Sequence, residues 1–252
     1  MNHTKYEKLL VNQKHFIIIG AQRSGSTMLY GILDQHPEIY MAKPVRPEPK
    51  YFLQGGGNYD DYKKSLFSAQ QESTWLGEKS TSYYETPQVA QRIKTCIPEA
   101  RIIFLMRNPV DRAISNYWFS KQNGYESRSL EEVFLQNLGA PQNNPQHVSV
   151  DPFDYLGRGE YLRHLNPYLE LFGPENFLPL VFEQVVNDDE LLNLWGFLDL
   201  KPIDFKRRQE HKNSSDVRAE SVEVSNALNE YFLPLNHELS QSLNIDLGVW
   251  NN

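Results

Sequence analysis

The chain has 252 residues, of which 40% are hydrophobic, and a formal net charge of −7. This composition provides one large apolar core, while the excess of acidic side chains disfavours binding to the phosphates of nucleic acids in general. The single cysteine, Cys96, excludes an intramolecular disulfide, and no apolar run approaches the ~20 residues that cross a bilayer, so we expect a cytoplasmic protein without membrane or nucleic-acid partners.

The first predicted elements are a strand, a glycine loop and a helix. Residues 16–19 form a short β-branched run, and Ser26–Leu33 has helical character. A second buried strand, Arg101–Met106, is followed by Asn108 as a helix cap and by Pro109 at the first helical position. Two such units predict the α/β class, with a central parallel β-sheet flanked by helices.

The later part of the chain is predicted to add helices and an edge strand. Capping-box spacing at Ser129 and at Asn187 predicts two helix starts. The other expected elements are a helix over 161–172, an edge strand over 177–182 and a helix over 219–243 that breaks or kinks at Pro234. We expect one domain over 1–252, with 1–14 as an N-terminal extension and 139–159 and 201–218 as active-site loops.

The glycine loop, residues 20–27, predicts an anion site. Its glycines lie five residues apart between a strand and a helix, so backbone N–H groups can converge on a phosphate at the helix N-terminus. Ser26 stands where a nucleoside triphosphatase has Lys, and Arg23 is the only cation of the loop. The pattern therefore favours a 5′-phosphate that carries another anionic group over a magnesium triphosphate. A tight turn without a ligand is the alternative.

Arg107 and Ser115 form the second candidate phosphate element, because they follow the second strand and enter a helix. A surface ion pair and an ordinary helix serine are the alternative interpretation. Together with the glycine loop, these residues resemble the sulfotransferases that use 3′-phosphoadenosine 5′-phosphosulfate (PAPS). In that family the loop binds the 5′-phosphosulfate, while an Arg and a later Ser bind the 3′-phosphate. The resemblance implies a P-loop-like domain with PAPS as donor, bound by Arg23, Ser24, Gly25, Ser26, Thr27, Arg107 and Ser115.

The resemblance covers most of the chain and is closest to the bacterial and heparan-type branch. It extends through residues 48–52 (EPKYF) and 77–80 (GEKS), and more loosely through residues 159–164 to Glu183. By this resemblance Glu48 is the catalytic base, although Pro47 stands where the family pattern has Lys. Lys79 matches the Lys that lies near the transferring sulfuryl group, where it and Arg23 would stabilise the charge of the leaving phosphate.

Other assignments of the base remain open. Glu78 can serve as the base or orient Lys79. The cytosolic small-molecule sulfotransferases use a His, so the histidines considered are His36, His147, His164 and His211. The chain has no metal-binding motif such as H-E-x-x-H or paired cysteines, which predicts a site without metal.

Three further predictions concern a basic stretch, Arg112 and an aromatic run. Lys212, Asn213 and Arg218 lie in the most basic stretch of the chain, where the family has a loop that closes over the PAPS phosphates; a solvated charge run is the alternative. Arg112 is predicted to form a helix salt bridge with Asp111 or a neighbouring Glu. The aromatic residues 117–119 are expected to belong to the core and the cleft wall.

The predicted acceptor is a neutral or cationic small molecule with a hydroxyl or amine, for example a guanidinium toxin of the saxitoxin type. A carbohydrate O- or N-sulfotransferase is the alternative, and a P-loop kinase or a non-catalytic nucleotide-binding protein is more remote. The sequence does not specify an oligomeric state. A solvated charged surface is the alternative to the acceptor prediction, which rests on a mouth formed by acidic and tyrosine side chains, namely Glu48, Asp60, Asp61, Asp151, Asp154, Glu160, Tyr51, Tyr59, Tyr83, Tyr84 and Tyr155.

Overall fold

Five parallel strands form the sheet at the centre of the computed structural model, which describes residues 13–68, 73–136, 139, 150–188, 190–206 and 221–250. The strands are β1 (Lys14–Gly20), β2 (Ile39–Met41), β3 (Trp75–Lys79), β4 (Arg101–Met106) and β5 (Phe177–Val181). Their order in the sheet is β2-β3-β1-β4-β5, and every neighbouring pair is parallel. The predicted α/β fold with a parallel central sheet is therefore confirmed.

The helices cover both faces of this sheet. The described helices are α1 (Ser26–Leu33), α2 (Tyr59–Phe67), α3 (Pro87–Cys96), α4 (Pro109–Gln122), α5 (Leu130–Phe134), α6 (Tyr161–Phe172), α7 (Phe182–Val186), α8 (Leu191–Phe197) and α9 (Val222–Leu243). Within the described ranges, none of these helices is long and apolar enough to cross a membrane.

Each face of the sheet packs against its own core, because successive side chains of a strand point to opposite faces. On β1, Ile17 and Ile19 belong to a core with α3 and α6, whereas Ile18 belongs to a second core with α1 and α8. All three side chains are fully buried. Strands covered on both faces are expected to be apolar at every position, which explains the continuous runs in β1 and β4.

The predicted boundaries agree closely with the structure. Helix α1 and strand β4 have the predicted bounds, and the Asn108 side chain accepts a hydrogen bond from the backbone N–H of Val110. Both hydrogen bonds of the capping box at Ser129 are present. Helix α6 forms despite Pro167, and β5 lies at the edge of the sheet.

Three expectations about elements differ from the structure in whole or in part. Strand β1 begins at Lys14, so the predicted extension 1–14 overlaps it. Asn187 caps no helix, because it ends α7, and α8 begins after Glu190 without a side-chain cap. Of the two outcomes predicted at Pro234, a break or a kink, the break is excluded, because α9 continues through this residue.

The order of the strands places a crevice at the carboxyl end of the sheet. The chain leads from β1 to β2 and β3 on one side and then crosses to β4 and β5 on the other, so the direction of winding reverses between β1 and β4. In open parallel sheets ligands bind outside the carboxyl ends of the strands at such a reversal. The segments that follow β3, β1 and β4 all meet at this edge.

Candidate active site

The glycine loop after β1 has a backbone that requires glycine at position 25. Gly25 has φ +82°, and a Cβ atom there would lie 2.4 Å from the ring of Phe182. The loop leads directly into α1, whose first turn has no side-chain cap. The N–H groups of Ser26 and Thr27 at this helix start therefore remain available for an anion, and the helix dipole favours negative charge there.

Arg23 links the glycine loop to α4. Its Nε donates a hydrogen bond to the hydroxyl of Ser115 at 3.2 Å. Its guanidinium lies 5.1 Å from the centre of the Phe119 ring, and 40% of the Phe119 surface is exposed. The cation of the loop and the serine of the second phosphate element are thus in direct contact, although 92 residues separate them in sequence.

Arg107 lies on the other side of the same crevice. Its Nη1 is 3.5 Å from the carbonyl oxygen of Arg23, and its Nη2 is 3.5 Å from a carboxylate oxygen of Asp111. Its guanidinium lies 5.5 Å from the centre of the Phe182 ring. Its Nε is buried and has no hydrogen-bond partner among the described residues. Arg23, Arg107 and Ser115 therefore form one cationic cluster between the ends of β1 and β4.

The salt bridge predicted for Arg112 is wrong, because Asp111 pairs with Arg107 instead. Arg112 points away from the crevice and is fully buried. Its guanidinium donates hydrogen bonds to the carbonyl oxygen of Tyr155 and, at 3.4 Å, to the side-chain oxygen of Asn116. Arg112 thus anchors the segment before α6 to the inner face of α4. Within the predicted loop 139–159, Tyr155 is held by Arg112, and the carbonyl oxygen of Pro152 accepts from Asn116 on the same helix.

Glu48 lies beside the end of β3, and the glycine loop separates it from the cationic cluster of Arg23, Arg107 and Ser115. Its carboxylate pairs with Lys79 and accepts hydrogen bonds from the backbone N–H of Thr81 at 2.9 Å and from the Thr81 hydroxyl at 3.0 Å. The Lys79 side chain is 3% exposed and that of Glu48 is 14% exposed. This acid and base pair is therefore fixed in position at the rim of the crevice.

Two contacts connect this pair to the glycine loop. The Gln22 side-chain amide donates to the Ser82 hydroxyl at 3.0 Å, and Arg46 Nη2 donates to the Thr27 hydroxyl at 3.3 Å. The structure thus brings the predicted residues Glu48, Lys79, Arg23, Arg107 and Ser115 together along one crevice.

Arg46, Thr81 and Phe182 were not singled out from the sequence. Arg46 immediately precedes Pro47, which stands where the family pattern has Lys. A cation one residue away from the expected position was the signal that could have identified Arg46. Thr81 and Phe182 carry no distinctive motif. Their contacts with Glu48 and with Gly25 arise from folding alone.

Glu78, the alternative base, is fully buried on the opposite face of β3 from Lys79. Its carboxylate accepts hydrogen bonds from the hydroxyls of Ser80 at 2.8 Å, Tyr83 at 2.5 Å and Tyr62 at 3.0 Å. Burial raises the pKa of Glu78 to about 7, while these three donors act in the opposite direction. Glu78 therefore contacts the core rather than the crevice.

The raised pKa of Glu78 predicts a pH-dependent difference in stability. A pKa of about 7 in the folded state, above the ordinary 4.5, means that folding favours the protonated carboxyl. This contribution is complete below about pH 4.5 and is lost as the pH rises through about 7. We expect Glu78→Gln to gain stability relative to the wild type between about pH 5 and pH 8, measured by urea unfolding.

Glu170→Gln is the matched control, because it makes the same chemical change at an exposed position of α6. A stability difference between Glu78→Gln and the wild type that does not change with pH would contradict this prediction.

The described histidines occupy structural positions. The His36 ring packs against Trp195 and contacts the carbonyl oxygen of Lys201. The His164 ring contacts the carbonyl oxygen of Gly157 at 2.8 Å, and burial lowers its pKa. His147 and His211 lie outside the described residues, as do Lys212, Asn213 and Arg218. The described ranges contain no cluster of three His, Cys, Asp or Glu side chains that could hold a metal ion.

The predicted acidic and aromatic mouth is not assembled as expected. Tyr83, Tyr84 and Tyr155 are buried in the core, with at most 3% exposure, so they cannot line an open mouth. Glu160 instead pairs with Arg163 and accepts a hydrogen bond from the Tyr231 hydroxyl. The sequence does not reveal this burial, because α3, α6 and the sheet enclose Tyr83 and Tyr84, whereas α4, α5 and α9 enclose Tyr155.

Comparisons with known proteins agree with this arrangement. A family model described as the sulfotransferase domain matches residues 13–231. The chain is 28% identical over 207 residues to human bifunctional heparan sulfate N-deacetylase/N-sulfotransferase 3, covering 76% of this chain and 23% of the relative. It is 28% identical over 189 residues to mouse heparan sulfate glucosamine 3-O-sulfotransferase 3A1, covering 74% of this chain and 46% of the relative.

The chain therefore spans less than half the length of these two relatives. Among solved structures, a sulfotransferase from Alicyclobacillus acidocaldarius superposes with a TM-score of 0.73 at 25% sequence identity. That match covers 96% of this chain and 100% of the other.

Proposed function

The chain belongs to the sulfotransferase domain family, whose donor is PAPS, and we propose that it transfers the sulfuryl group of PAPS to a hydroxyl or amine of a small-molecule acceptor. The observation that carries the proposal is that the cations Arg23 and Arg107 and the Glu48–Lys79 pair lie on either side of the glycine loop at the carboxyl edge of the sheet. A metal-free reaction and a cytoplasmic location remain predictions.

The donor would lie along the glycine loop, between the two clusters. The uncapped start of α1 suits the 5′-phosphosulfate, and the cluster of Arg23, Arg107 and Ser115 suits the 3′-phosphate. The unpartnered Nε of Arg107 is a donor that a phosphate oxygen would satisfy. Lys212, Asn213 and Arg218 would close over these phosphates from the segment 201–218.

The transfer is a direct displacement at sulfur. The bond between sulfur and the 5′-phosphate oxygen breaks, a bond from sulfur to the acceptor oxygen or nitrogen forms, and Glu48 takes the acceptor proton. Lys79 has three N–H donors, so pairing with Glu48 leaves donors for the transferring group. Arg46, which reaches Thr27 across the loop, adds positive charge at the same end. Adenosine 3′,5′-bisphosphate leaves as the product nucleotide.

Thermal unfolding tests the donor directly. We expect adenosine 3′,5′-bisphosphate without metal to raise the Tm, because a ligand that binds only the folded state stabilises it. ATP with magnesium should raise the Tm much less, since Ser26 occupies the position of the triphosphatase lysine. A larger shift with ATP and magnesium would favour a kinase instead.

The assignment of the 3′-phosphate gives a sharper prediction. We expect Arg107→Ala and Ser115→Ala each to weaken binding of adenosine 3′,5′-bisphosphate by about 10- to 100-fold, the effect of losing a hydrogen bond to a charged group. Binding of adenosine 5′-phosphate should stay nearly unchanged, because it lacks the 3′-phosphate. Isothermal titration calorimetry with both nucleotides measures this difference.

Lys121→Ala is a matched control, because Lys121 lies on the same helix and donates to the carbonyl oxygens of Ser127 and Arg128. It should bind both nucleotides like the wild type. Equal losses for both nucleotides in the Arg107 and Ser115 variants would refute the assignment of the 3′-phosphate.

A carbohydrate is the second candidate acceptor, and the similarity to heparan sulfate N- and 3-O-sulfotransferases favours it. A panel of small alcohols, amines, guanidinium compounds and glycans separates the two classes. Sulfated products detected by mass from neutral or cationic small molecules would support the first proposal. Faster reaction of a polyanionic glycan would support the second.

A further inference from the structure

We propose that Glu78 is a positioning residue for Glu48, holding the segment that carries this base through the hydroxyls of Ser80 and Tyr83. This inference rests on the proposed function, in which Glu48 takes the acceptor proton. The structure shows Glu78 beneath the segment rather than in the crevice. In this proposal Glu78, which precedes Lys79 in the chain, positions the base instead of serving as the base itself.

The contacts form two short chains from Glu78 to the backbone after Glu48. In the first chain, the N–H of Lys50 donates to the Ser80 hydroxyl at 2.9 Å, and this hydroxyl donates to Glu78 at 2.8 Å. In the second, the N–H of Phe52 donates to the Tyr83 hydroxyl at 3.0 Å, and this hydroxyl donates to Glu78 at 2.5 Å. One carboxylate thus holds two backbone amides of the same segment.

The direction of these hydrogen bonds requires an acceptor at position 78. A hydroxyl has a single proton, and a backbone N–H can only donate. Because Ser80 and Tyr83 each accept from a backbone N–H, their own protons are free to point at the carboxylate. An apolar side chain at position 78 would leave both hydroxyl protons without their partner, which is costly in a buried site.

The segment is held on a second side as well. Arg92 Nη1 donates to the carbonyl oxygen of Phe52 at 2.7 Å and to that of Leu53 at 3.2 Å. Glu48 itself is fixed by Lys79 and Thr81, which lie on either side of Ser80 in the chain. Within residues 78–83, Lys79 and Thr81 therefore bind the Glu48 carboxylate, whereas Ser80 and Tyr83 bind backbone N–H groups of the segment that follows Glu48.

This arrangement links the buried Glu78 carboxylate to the position of the catalytic base, Glu48. A displacement of about 1 Å in a reacting group can lower the rate by ~10²-fold, because the reacting atoms must be aligned. If the two chains were broken, the segment after Glu48 would lose two of its buried hydrogen bonds, and the carboxylate would no longer be held at one distance from the acceptor. We expect kcat to fall while nucleotide binding persists, since the cationic cluster lies on the other side of the glycine loop.

Tyr83→Phe and Tyr84→Phe form a matched pair for the test. Both tyrosines are fully buried, and each uses its hydroxyl in the core, but Tyr84 donates to the carbonyl oxygen of Arg158 rather than to Glu78. We expect Tyr83→Phe to lower kcat by about 10- to 100-fold with unchanged affinity for adenosine 3′,5′-bisphosphate. Tyr84→Phe should lose stability only. Equal kcat in the two folded variants would overturn the proposal.

Substitution of Glu78 itself supplies a rescue experiment. Glu78→Met fills a similar volume without an acceptor and should lower kcat by about 10- to 100-fold. Glu78→Gln should restore most of the activity, because its side-chain oxygen accepts from Ser80 and Tyr83 while its N–H group can donate to Tyr62. Full activity of Glu78→Met, or loss of activity in Glu78→Gln as severe as in Glu78→Met, would contradict a positioning role.

Amide hydrogen exchange gives a readout that does not depend on sulfuryl transfer. We expect the N–H groups of Lys50 and Phe52 to be protected in the wild type and to exchange faster in Tyr83→Phe and in Glu78→Met. Faster exchange in a protein that transfers no sulfuryl group would uphold the positioning contacts while refuting the proposed function. Unchanged exchange at both amides would refute the positioning contacts even in an active enzyme.

Discussion

Replacement of Glu48 by Gln should lower turnover by about 10²- to 10⁴-fold, the range for loss of a general base. The amide has nearly the same shape and still accepts the hydrogen bonds of Thr81, so the fold and the affinity for adenosine 3′,5′-bisphosphate should persist. The variant loses the capacity to take the acceptor proton and also the ion pair with the buried Lys79, so its free energy of unfolding should fall and turnover must be normalised to the folded fraction. Steady-state kinetics with PAPS and the best acceptor of the panel would measure this loss as a fall in kcat.

Glu38→Gln is a suitable control, because the Glu38 carboxylate accepts from the exposed Thr74 hydroxyl, away from the crevice. It should turn over like the wild type. If Glu48→Gln keeps full activity while a His variant or Glu78→Gln is inactive, Glu48 is not the base.

Replacement of Lys79 by Met should cost both activity and stability. Removing a preorganised charge that faces the transition state typically lowers kcat by ~10²- to 10³-fold. The side chain is 3% exposed and pairs with Glu48, and breaking a buried pair from one side costs about 3–5 kcal/mol because it leaves a charge without its partner. Turnover normalised to the folded fraction, together with urea unfolding, would separate the two effects.

Lys64→Met provides the comparison, because Lys64 is exposed on α2. It should change neither quantity by much. A Lys79→Met enzyme that keeps normal turnover per folded molecule would show that this lysine acts on stability alone.

Much of the fold and the grouping of site residues could be predicted from the sequence. The strand, loop and helix units at 16–33 and 101–115 have local signals, namely apolar runs, glycine spacing and the Asn108 cap. A parallel sheet then brings the ends of neighbouring strands to one edge. This explains why Arg23 and Ser115 meet in space although nothing local joins them.

The parts that could not be predicted depend on burial and on contacts distant in sequence. Arg112 resembles a surface helix residue, but the segment before α6 covers it and provides carbonyl acceptors. Glu78 has the same neighbours in sequence as Lys79, yet the alternation of the strand turns one side chain into the core and the other toward Glu48. The packing of α2 against β3 then adds Tyr62 to the nearby partners Ser80 and Tyr83.

The central claim is that the crevice transfers a sulfuryl group from PAPS. The most direct measurement is incubation of the purified chain with sulfur-labelled PAPS and the acceptor panel, without added metal, followed by quantification of labelled acceptor and of adenosine 3′,5′-bisphosphate. We predict equal amounts of both products, with formation strongly reduced in Glu48→Gln. Absence of labelled acceptor across the panel, in protein that binds adenosine 3′,5′-bisphosphate tightly, would contradict the claim and indicate a nucleotide-binding protein without transfer activity.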